Sequence, residues 1–386
     1  MRAWRVAGVL VLIGIEALLF GYSYPFFSLA LEKRDLSNWL IGLNASLAGV
    51  GILVVGPFLP RLIDIFGLRR LVAAQFGISL LSFLAILTFD FLPVWFLARL
   101  VMGACFSALW TTTEIWLNGV VDDRHRGRIV GASGTLYATC QFLGPLLLGA
   151  TGVTGSPPLI AAMLPLAVGV AVALSIPSAV GEVEEEESAS AEGLRVALTL
   201  AGALVAAAFL GGIGETAMQS LLPLYGLAYG LGDAEASGLV AIFSLGEAVL
   251  VAVLGWSADR LGRTRTLQMC AIVAAATSLI LPLAITQGLL VAPVLFLAGG
   301  TISGIYTLGV ILIGTDFRGQ RLALVSTGFA MAYSAGSIVG STPIGFAIDL
   351  FGPNALPFSI AIGFIALAVY LSLRRPTAGE GGPAPA

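Results

Sequence analysis

Charge is scarce in this chain: 11% of its 386 residues are Asp, Glu, Lys or Arg, where a soluble globular domain carries roughly 25%. A fold whose whole surface faces water is excluded, and a large aqueous catalytic domain with it. Lysine occurs once, at Lys33, and there is no G-x-x-x-x-G-K-[ST] run, which excludes ATP-driven transport within the chain. Histidine occurs once, at His125, so no histidine metal cluster can form. The three cysteines, Cys105, Cys140 and Cys270, fall inside apolar runs without paired spacing and read as small core residues rather than disulfides or ligands. A net charge of −3 offers no basic surface to nucleic acid. With no nucleophile beside a base, the sequence predicts no enzyme, no metal and no cofactor.

What fills the chain instead is apolar. Hydrophobic residues make up 58%, and mean hydropathy is +0.98. The 48 glycines and 18 prolines would break most water-soluble helices, yet both are frequent in membrane helices, where small residues let backbones pack closely. At about 20 residues per crossing and roughly 8 to 12 per turn, the length divides into about twelve crossings. Apolar stretches lie at residues 7–31, 39–60, 71–89, 94–119, 129–152, 157–180, 195–224, 236–256, 266–287, 289–314, 322–347 and 355–373. The first continues without an A-x-A-like end into Glu32, Lys33, Arg34 and Asp35, so it is expected to remain a helix rather than be cleaved.

Sixteen of the 19 cations fall on one side of this topology. They are Arg2 and Arg5; Arg61, Arg69 and Arg70; Arg124, Arg126 and Arg128; Arg195; Arg260, Arg263 and Arg265; Arg318 and Arg321; Arg374 and Arg375. The opposite connections hold only Lys33 and Arg34, and Arg99 lies within a span. The positive-inside rule then makes both termini cytoplasmic in a multi-pass membrane protein. Residues 181–193, GEVEEEESASAEG, have the composition of a solvated linker. The expected organisation is an N-terminal six-helix bundle (1–180), an acidic cytoplasmic linker (181–194), a C-terminal six-helix bundle (195–373) and a disordered cytoplasmic tail (374–386).

The two halves repeat one another. Gly14, Glu16 and Pro25 answer to Gly214, Glu215 and Pro223. Asp64, Gly67, Arg69 and Arg70 answer to Asp259, Gly262, Arg263 and Arg265; RGR from Arg126 answers to RGQR from Arg318; Gly144 and Pro145 answer to Gly340 and Pro343. A duplicated six-helix unit is how many transporters are built, with the substrate site near the bilayer midplane between the halves.

On these loops the sequence resembles the major facilitator superfamily. GWSADRLGRTR from Gly255 looks like its G-x-L-x-D-R-x-G-R-R signature; the first copy carries Pro60 in place of the usual glycine and Ile65 in place of a basic residue. Arg99, Gly103 and Ser107 are similar to the R-x-x-x-G motif of proton-coupled exporters, and LGPLLLG from Leu143 looks like a partial antiporter motif. EIWLNGVVDDRHRGR and GIYTLGVILIGTDFRGQ look like a bacterial subgroup whose substrates are mostly unassigned. The resemblance spans residues 7 to 373. It implies an all-α membrane protein of twelve transmembrane helices in two pseudo-symmetric six-helix bundles. The implied activity is secondary active transport of a small organic molecule by alternating access, with proton-coupled efflux as the mode. A sugar or metabolite symporter or facilitator, or a non-transporting membrane sensor, is the alternative. The expected partners are that small molecule, protons and the lipid bilayer, with the protein acting as a monomer.

Few ionisable groups lie inside the spans, and each costs roughly 2.5 to 3.5 kcal/mol at a helix centre. Glu16 and Glu215 are placed by the repeat to face one central cavity, where a carboxylate can load a proton from one side and release it to the other. Glu16 shares a helix face with Phe20 and Tyr24, and Glu215 with Gln219. Glu247 is a third candidate proton carrier. Arg99, Gly103, Ser107, Trp110 and Glu114 form one stripe about 22 Å long at about 1.5 Å per residue. Arg99 is suited to hold an anionic group or tune a cavity carboxylate, or else to a structural pairing; Trp110 offers an aromatic wall. Tyr137, Gln141, Tyr306 and Tyr333 are further polar groups at helical spacing, of which Tyr137, Gln141 and Tyr306 are placed on the substrate and proton pathway. A cytoplasmic gate is expected from Asp64, Arg69, Arg70, Glu114, Arg126, Arg128, Asp259, Arg260, Arg263 and Arg318. Asp64 and Asp259 would latch the outward-facing state through cations or the N-terminal dipole of a helix in the other half.

Overall fold

The computed structural model describes residues 2–122, 125–176 and 191–373. The first half is α1 (Arg2–Glu32), α2 (Asn38–Val55), α3 (Leu59–Thr88), α4 (Leu92–Val120), α5 (Arg126–Thr151) and α6 (Pro157–Ser175). The second is α7 (Ala191–Ala228), α8 (Asp233–Leu261), α9 (Arg263–Gln287), α10 (Val291–Asp316), α11 (Gly319–Phe351) and α12 (Ala355–Leu373). Every expected crossing is a helix, as hydrocarbon demands of any segment that must satisfy its own backbone. Exposed leucine and isoleucine side chains such as Leu81, Leu97, Leu164 and Ile362 cover the outside, a surface suited to lipid.

Two boundaries differ from expectation. Only a short 3-10 turn, Gly56–Phe58, separates α2 from α3, so α3 already begins at Leu59 where the sequence suggested a connection. The chain turns instead at a kink on Gly67, whose φ of 71° and ψ of 152° lie in a region open to glycine and closed to most L residues. Its repeat mate Gly262, with φ 91°, serves the same purpose between α8 and α9. The second difference is α7, which starts at Ala191; Ala and Glu at its first positions are good helix formers. The remainder of the acidic linker (residues 181–190), Arg124, and the tail with Arg374 and Arg375 lie outside the described residues.

Ten helical segments are long and apolar enough to cross a membrane, one of them the joined run Asn38–Thr88. Among the described residues α5 is not one of these, because it carries Thr135, Tyr137, Thr139 and Gln141 in its middle turns. That polarity marks a helix whose neighbours are protein and cavity rather than lipid.

Packing follows the repeat. In the first half α1 lies on α5, α2 on α4 and α3 on α6; in the second α7 lies on α11, α8 on α10 and α9 on α12. The equivalent crossings rest on equivalent glycines. A Cβ on Gly51 would meet the α4 backbone at Leu100 and Ala104, and one on Gly103 the α2 backbone at Ala48. In the other half Gly246 faces the backbone of Phe296, and Gly299 that of Phe243.

The halves meet through α2 with α11, α5 with α8 and α1 with α7. Their contacts run from the end away from the arginine-rich loops to the middle of the helices, where Gln141 of α5 reaches Glu247 of α8. At the end away from the arginine-rich loops, Asp349 Oδ1 accepts hydrogen bonds from the Asn38 backbone N–H (2.9 Å) and Nδ2 (2.7 Å), and Oδ2 from the Trp39 N–H (3.0 Å). A carboxylate on α11 thus caps the N-terminus of α2 from across the interface, supplying acceptors its first turn lacks. Ser46 and Thr342 hydroxyls are 2.9 Å apart, and Lys33 Nζ lies 2.9 Å from Asp233 Oδ1. The hydrogen bond to Asp233 holds the Lys33 ammonium above its ordinary value. Lys33 is therefore charged throughout the physiological range, and whatever the pair contributes is lost only as pH rises through that value. Because the pair is well exposed, its contribution is small. Lys33→Met is expected to leave the melting temperature in detergent unchanged within error.

Toward the arginine end the halves separate. On α5, Gly149 packs on Ser237 and Ala234 of α8. Gly131 lies on the same face of α5 five turns away, and Gly255 on the same face of α8 as Ser237, about 27 Å along each helix. Nothing lies within 4 Å of a Cβ built on Gly131 or Gly255. The two helices touch from one end to their middle and splay at the other end.

Candidate functional site

Three glutamates converge between the halves, and each comes from a different helix. Glu16 of α1 is 1% exposed; its Oε1 accepts a hydrogen bond from the Tyr137 hydroxyl of α5 at 3.5 Å. Glu215 of α7 accepts from the Tyr333 hydroxyl of α11 at 2.5 Å and from Gln219 Nε2 at 3.3 Å. Glu247 of α8 accepts from Gln141 Nε2 of α5 at 3.4 Å, a bond that crosses from one half to the other. Tyr137 sits within electrostatic reach of all three carboxylates.

The first two arrangements are one motif used twice. Glu16 with Tyr137 joins α1 to α5, and Glu215 with Tyr333 joins α7 to α11, which are the equivalent helix pairs of the repeat. Close helix approach makes this reach possible: Gly21 abuts the backbone of Gln141 and Gly212 that of Tyr333. Glu247 breaks the symmetry. It follows Gly246 as Ile52 follows Gly51, so the second half carries a carboxylate where the first has an aliphatic residue.

Aromatic rings line the same region. Trp110, 49% exposed, stacks edge-on against Tyr137 at 4.6 Å between centroids. Tyr306 packs on Tyr333 at 4.6 Å and on Phe329 at 5.3 Å. Tyr24 meets Phe20 at 5.3 Å. Among the described residues no lysine or arginine lies within ion-pair distance of Glu16, Glu215 or Glu247. Every partner these carboxylates have is a neutral donor.

Arg99 is placed apart from them. It is 1% exposed, its guanidinium lies 4.1 Å from the Tyr24 ring centroid and 5.1 Å from that of Phe27, and Nη1 donates to Ser23 Oγ at 3.0 Å. The expected stripe on α4 therefore does not act as one surface. Gly103 is taken up by α2, Arg99 is enclosed by α1, and only Trp110 and Glu114 lie exposed. A helix face can be shared by several neighbours along its length, and here the α2 and α1 crossings claim its first two turns.

The expected gate residues lie at the arginine end. Asp64, Arg70, Glu114, Arg126, Arg128, Asp259, Arg260 and Arg318 are exposed. Arg69 donates to the carbonyl of Leu174, Arg318 to that of Gly314, and Arg260 lies 4.2 Å over the Trp256 ring. Among the described residues neither Asp64 nor Asp259 forms an ion pair.

Two features escaped sequence reasoning. Tyr333 was one polar residue among several, although it follows Tyr137 at the repeat spacing and that spacing identifies it. The clasp of Asn38 with Asp349 left no such signal, since it joins residues from unrelated positions of the two halves.

The comparisons with known proteins agree with this architecture. The family model described as Major Facilitator Superfamily matches residues 9–330 and again 204–386, starting afresh in the second half. Relatives include the uncharacterized MFS-type transporter YfkF of Bacillus subtilis (strain 168), 22% identical with 95% of each chain covered. An uncharacterized MFS-type transporter of Yersinia pestis (strain Pestoides F) is 26% identical with 97% of each covered. Among solved structures, the nucleoside transporter NupG superimposes with a TM-score of 0.80 at 13% identity, covering 95% of this chain and 98% of that one. With a family model spanning most of its length, relatives matched end to end and the two-bundle fold in place, the chain belongs to the Major Facilitator Superfamily of membrane transporters.

Proposed function

We propose that the protein exports a small organic molecule in exchange for protons, with Glu16, Glu215 and Glu247 as the groups that load and release them. One observation carries this reading: three carboxylates from both halves meet at the interface that must open and close, and neutral donors alone hold them. Such a group has no fixed countercharge, so its protonation follows the hydration of the cavity, which is what coupling to a proton gradient requires. Export is favoured over uptake by the likeness of Arg99, Gly103 and Ser107, and of LGPLLLG, to exporter motifs. The likeness to NupG speaks to fold and assigns no substrate.

In this reading the arginine-rich loops and both termini are cytoplasmic, in a bacterial inner membrane, and the described state opens to the cytoplasm. Asp64 and Asp259 then close that end in the outward-facing state, while Asp349 holds the outer end shut in this one. Asp349→Ala removes all three acceptor contacts to α2. The expected result is faster labelling of a Ser46→Cys thiol by an external, membrane-impermeant maleimide, in a background lacking the native cysteines. An unchanged labelling rate would remove Asp349 from the gate.

The reading is tested with purified protein in proteoliposomes and a panel of labelled organic cations, anions, nucleosides and sugars, with and without an imposed pH gradient. At least one member is expected to accumulate only with the gradient. Transport indifferent to the gradient leaves a facilitator; a panel with no transported member would favour the sensor.

A further inference from the structure

We infer that the central site takes an organic cation, an aromatic or amphiphilic amine or onium, whose positive centre sits among Glu16, Glu215 and Glu247 against the faces of Trp110 and Tyr137. The inference rests on the transport reading above and names the substrate class of the same site.

Four observations point to a positive ligand. First, Glu16 is 1% exposed and its Oε2 has no hydrogen-bond partner among the described residues. A buried carboxyl oxygen without a donor is an unmet acceptor, which costs free energy until a ligand or proton answers it. Second, the site holds three acids and no base within ion-pair distance. A cation placed among them would be the countercharge they lack. Third, Arg99, the one buried cation among the described residues, lies against Tyr24 and Phe27 and bonds to Ser23; its Nε and Nη2 have no partner there, and it pairs with none of the three carboxylates. Fourth, Trp110 is half exposed and held edge-on by Tyr137, which leaves an indole face free for a cation, the best aromatic partner for one.

This arrangement also supplies an exchange rule. A cation and protons compete for the same carboxylates, so binding one expels the other, and opposite movement across the membrane follows without a separate coupling site.

The test uses the purified full-length protein in detergent and two ions of matched shape and opposite charge, tetraphenylphosphonium and tetraphenylborate, with the smaller cation phenyltrimethylammonium beside them. Binding is followed by equilibrium dialysis, and proton release by a pH dye in weak buffer. At least one cation is expected to bind saturably and to release protons, while tetraphenylborate does not compete with it. Glu215→Gln and Glu247→Gln are each expected to weaken cation binding by about tenfold or more, as the loss of a nearby charge requires. Trp110→Leu is expected to weaken it by about three- to tenfold and Trp110→Phe by less. Saturable binding of tetraphenylborate alone, no binding of either cation, or cation binding indifferent to the glutamate substitutions would overturn the inference. The two readings fail separately. Gradient-driven flux of a neutral or anionic solute with no cation binding overturns the substrate class and spares the coupling. Cation binding with flux that ignores the gradient does the reverse.

Discussion

Glu215→Gln is expected to abolish accumulation driven by a pH gradient, while substrate still exchanges for substrate once its concentration is raised to offset the weaker binding. The substitution keeps the shape of the side chain and an oxygen for the Tyr333 hydroxyl, which donates to Glu215 at 2.5 Å, so the α7–α11 contact survives. What it removes is the change of charge. An ionised carboxylate in an apolar core costs roughly 2.5 to 3.5 kcal/mol, which corresponds to about 70- to 370-fold in the population of a closed, dehydrated state. Protonation lifts that barrier in the native protein, and this is how a proton gradient gains hold of the conformational cycle. A permanent amide lifts it at every pH. The halves then rock freely, labelled substrate exchanges, and the gradient no longer biases direction. The check is paired counterflow and gradient-driven flux in the same proteoliposomes. Loss of both even at saturating substrate would mean Glu215 holds the fold; retention of both would assign coupling to Glu16 or Glu247.

Gly103→Leu is expected to prevent assembly of the first bundle, and Gly246→Leu that of the second. At Gly103 a Cβ alone would strike the backbone of Ala48, and at Gly246 that of Phe296. These neighbours are main chain, so no rotamer change relieves the clash; the helices must move apart along their whole crossing. Overpacking of a soluble core costs about 1 to 3 kcal/mol, and here the added group also separates α2 from α4, or α8 from α10, where small residues are what permit packing in lipid. Each variant should elute as aggregate, or melt far below the parent, in fluorescence-detected size exclusion. As a control, Gly131→Leu stands at a position with nothing within 4 Å and should fold normally. Equal behaviour of Gly103→Leu and Gly131→Leu would refute the claim that backbone contact at the crossing holds the bundle.

Much of this was legible in the sequence, and the reasons differ by feature. The twelve helices follow from apolar runs because hydrocarbon leaves the backbone no other option. The matched places of Glu16 and Glu215 followed from the repeat, and each accepts a hydrogen bond from a tyrosine on the equivalent partner helix, Tyr137 and Tyr333. Gly67 and Gly262 were visible as repeated glycines, and their positive φ angles explain why both copies kept them. Other features depend on three dimensions. Spacing on α4 put Arg99 and Trp110 on one stripe, but only the crossing helices decide that Arg99 is enclosed by Tyr24 and Phe27 while Trp110 remains open. Likewise, the caps that Asp349 gives to Asn38 and Trp39 join residues some 310 positions apart, and no local pattern announces such a contact.

The most direct test of the central claim is the number of protons that cross the vesicle wall with each substrate molecule, measured with an internal pH dye in proteoliposomes containing the native protein or its Glu16→Gln, Glu215→Gln and Glu247→Gln variants. The account predicts proton movement opposite to substrate in the native protein and its loss in at least one variant that still exchanges substrate. Substrate flux with no accompanying proton movement, or proton movement unchanged in all three variants, would contradict it.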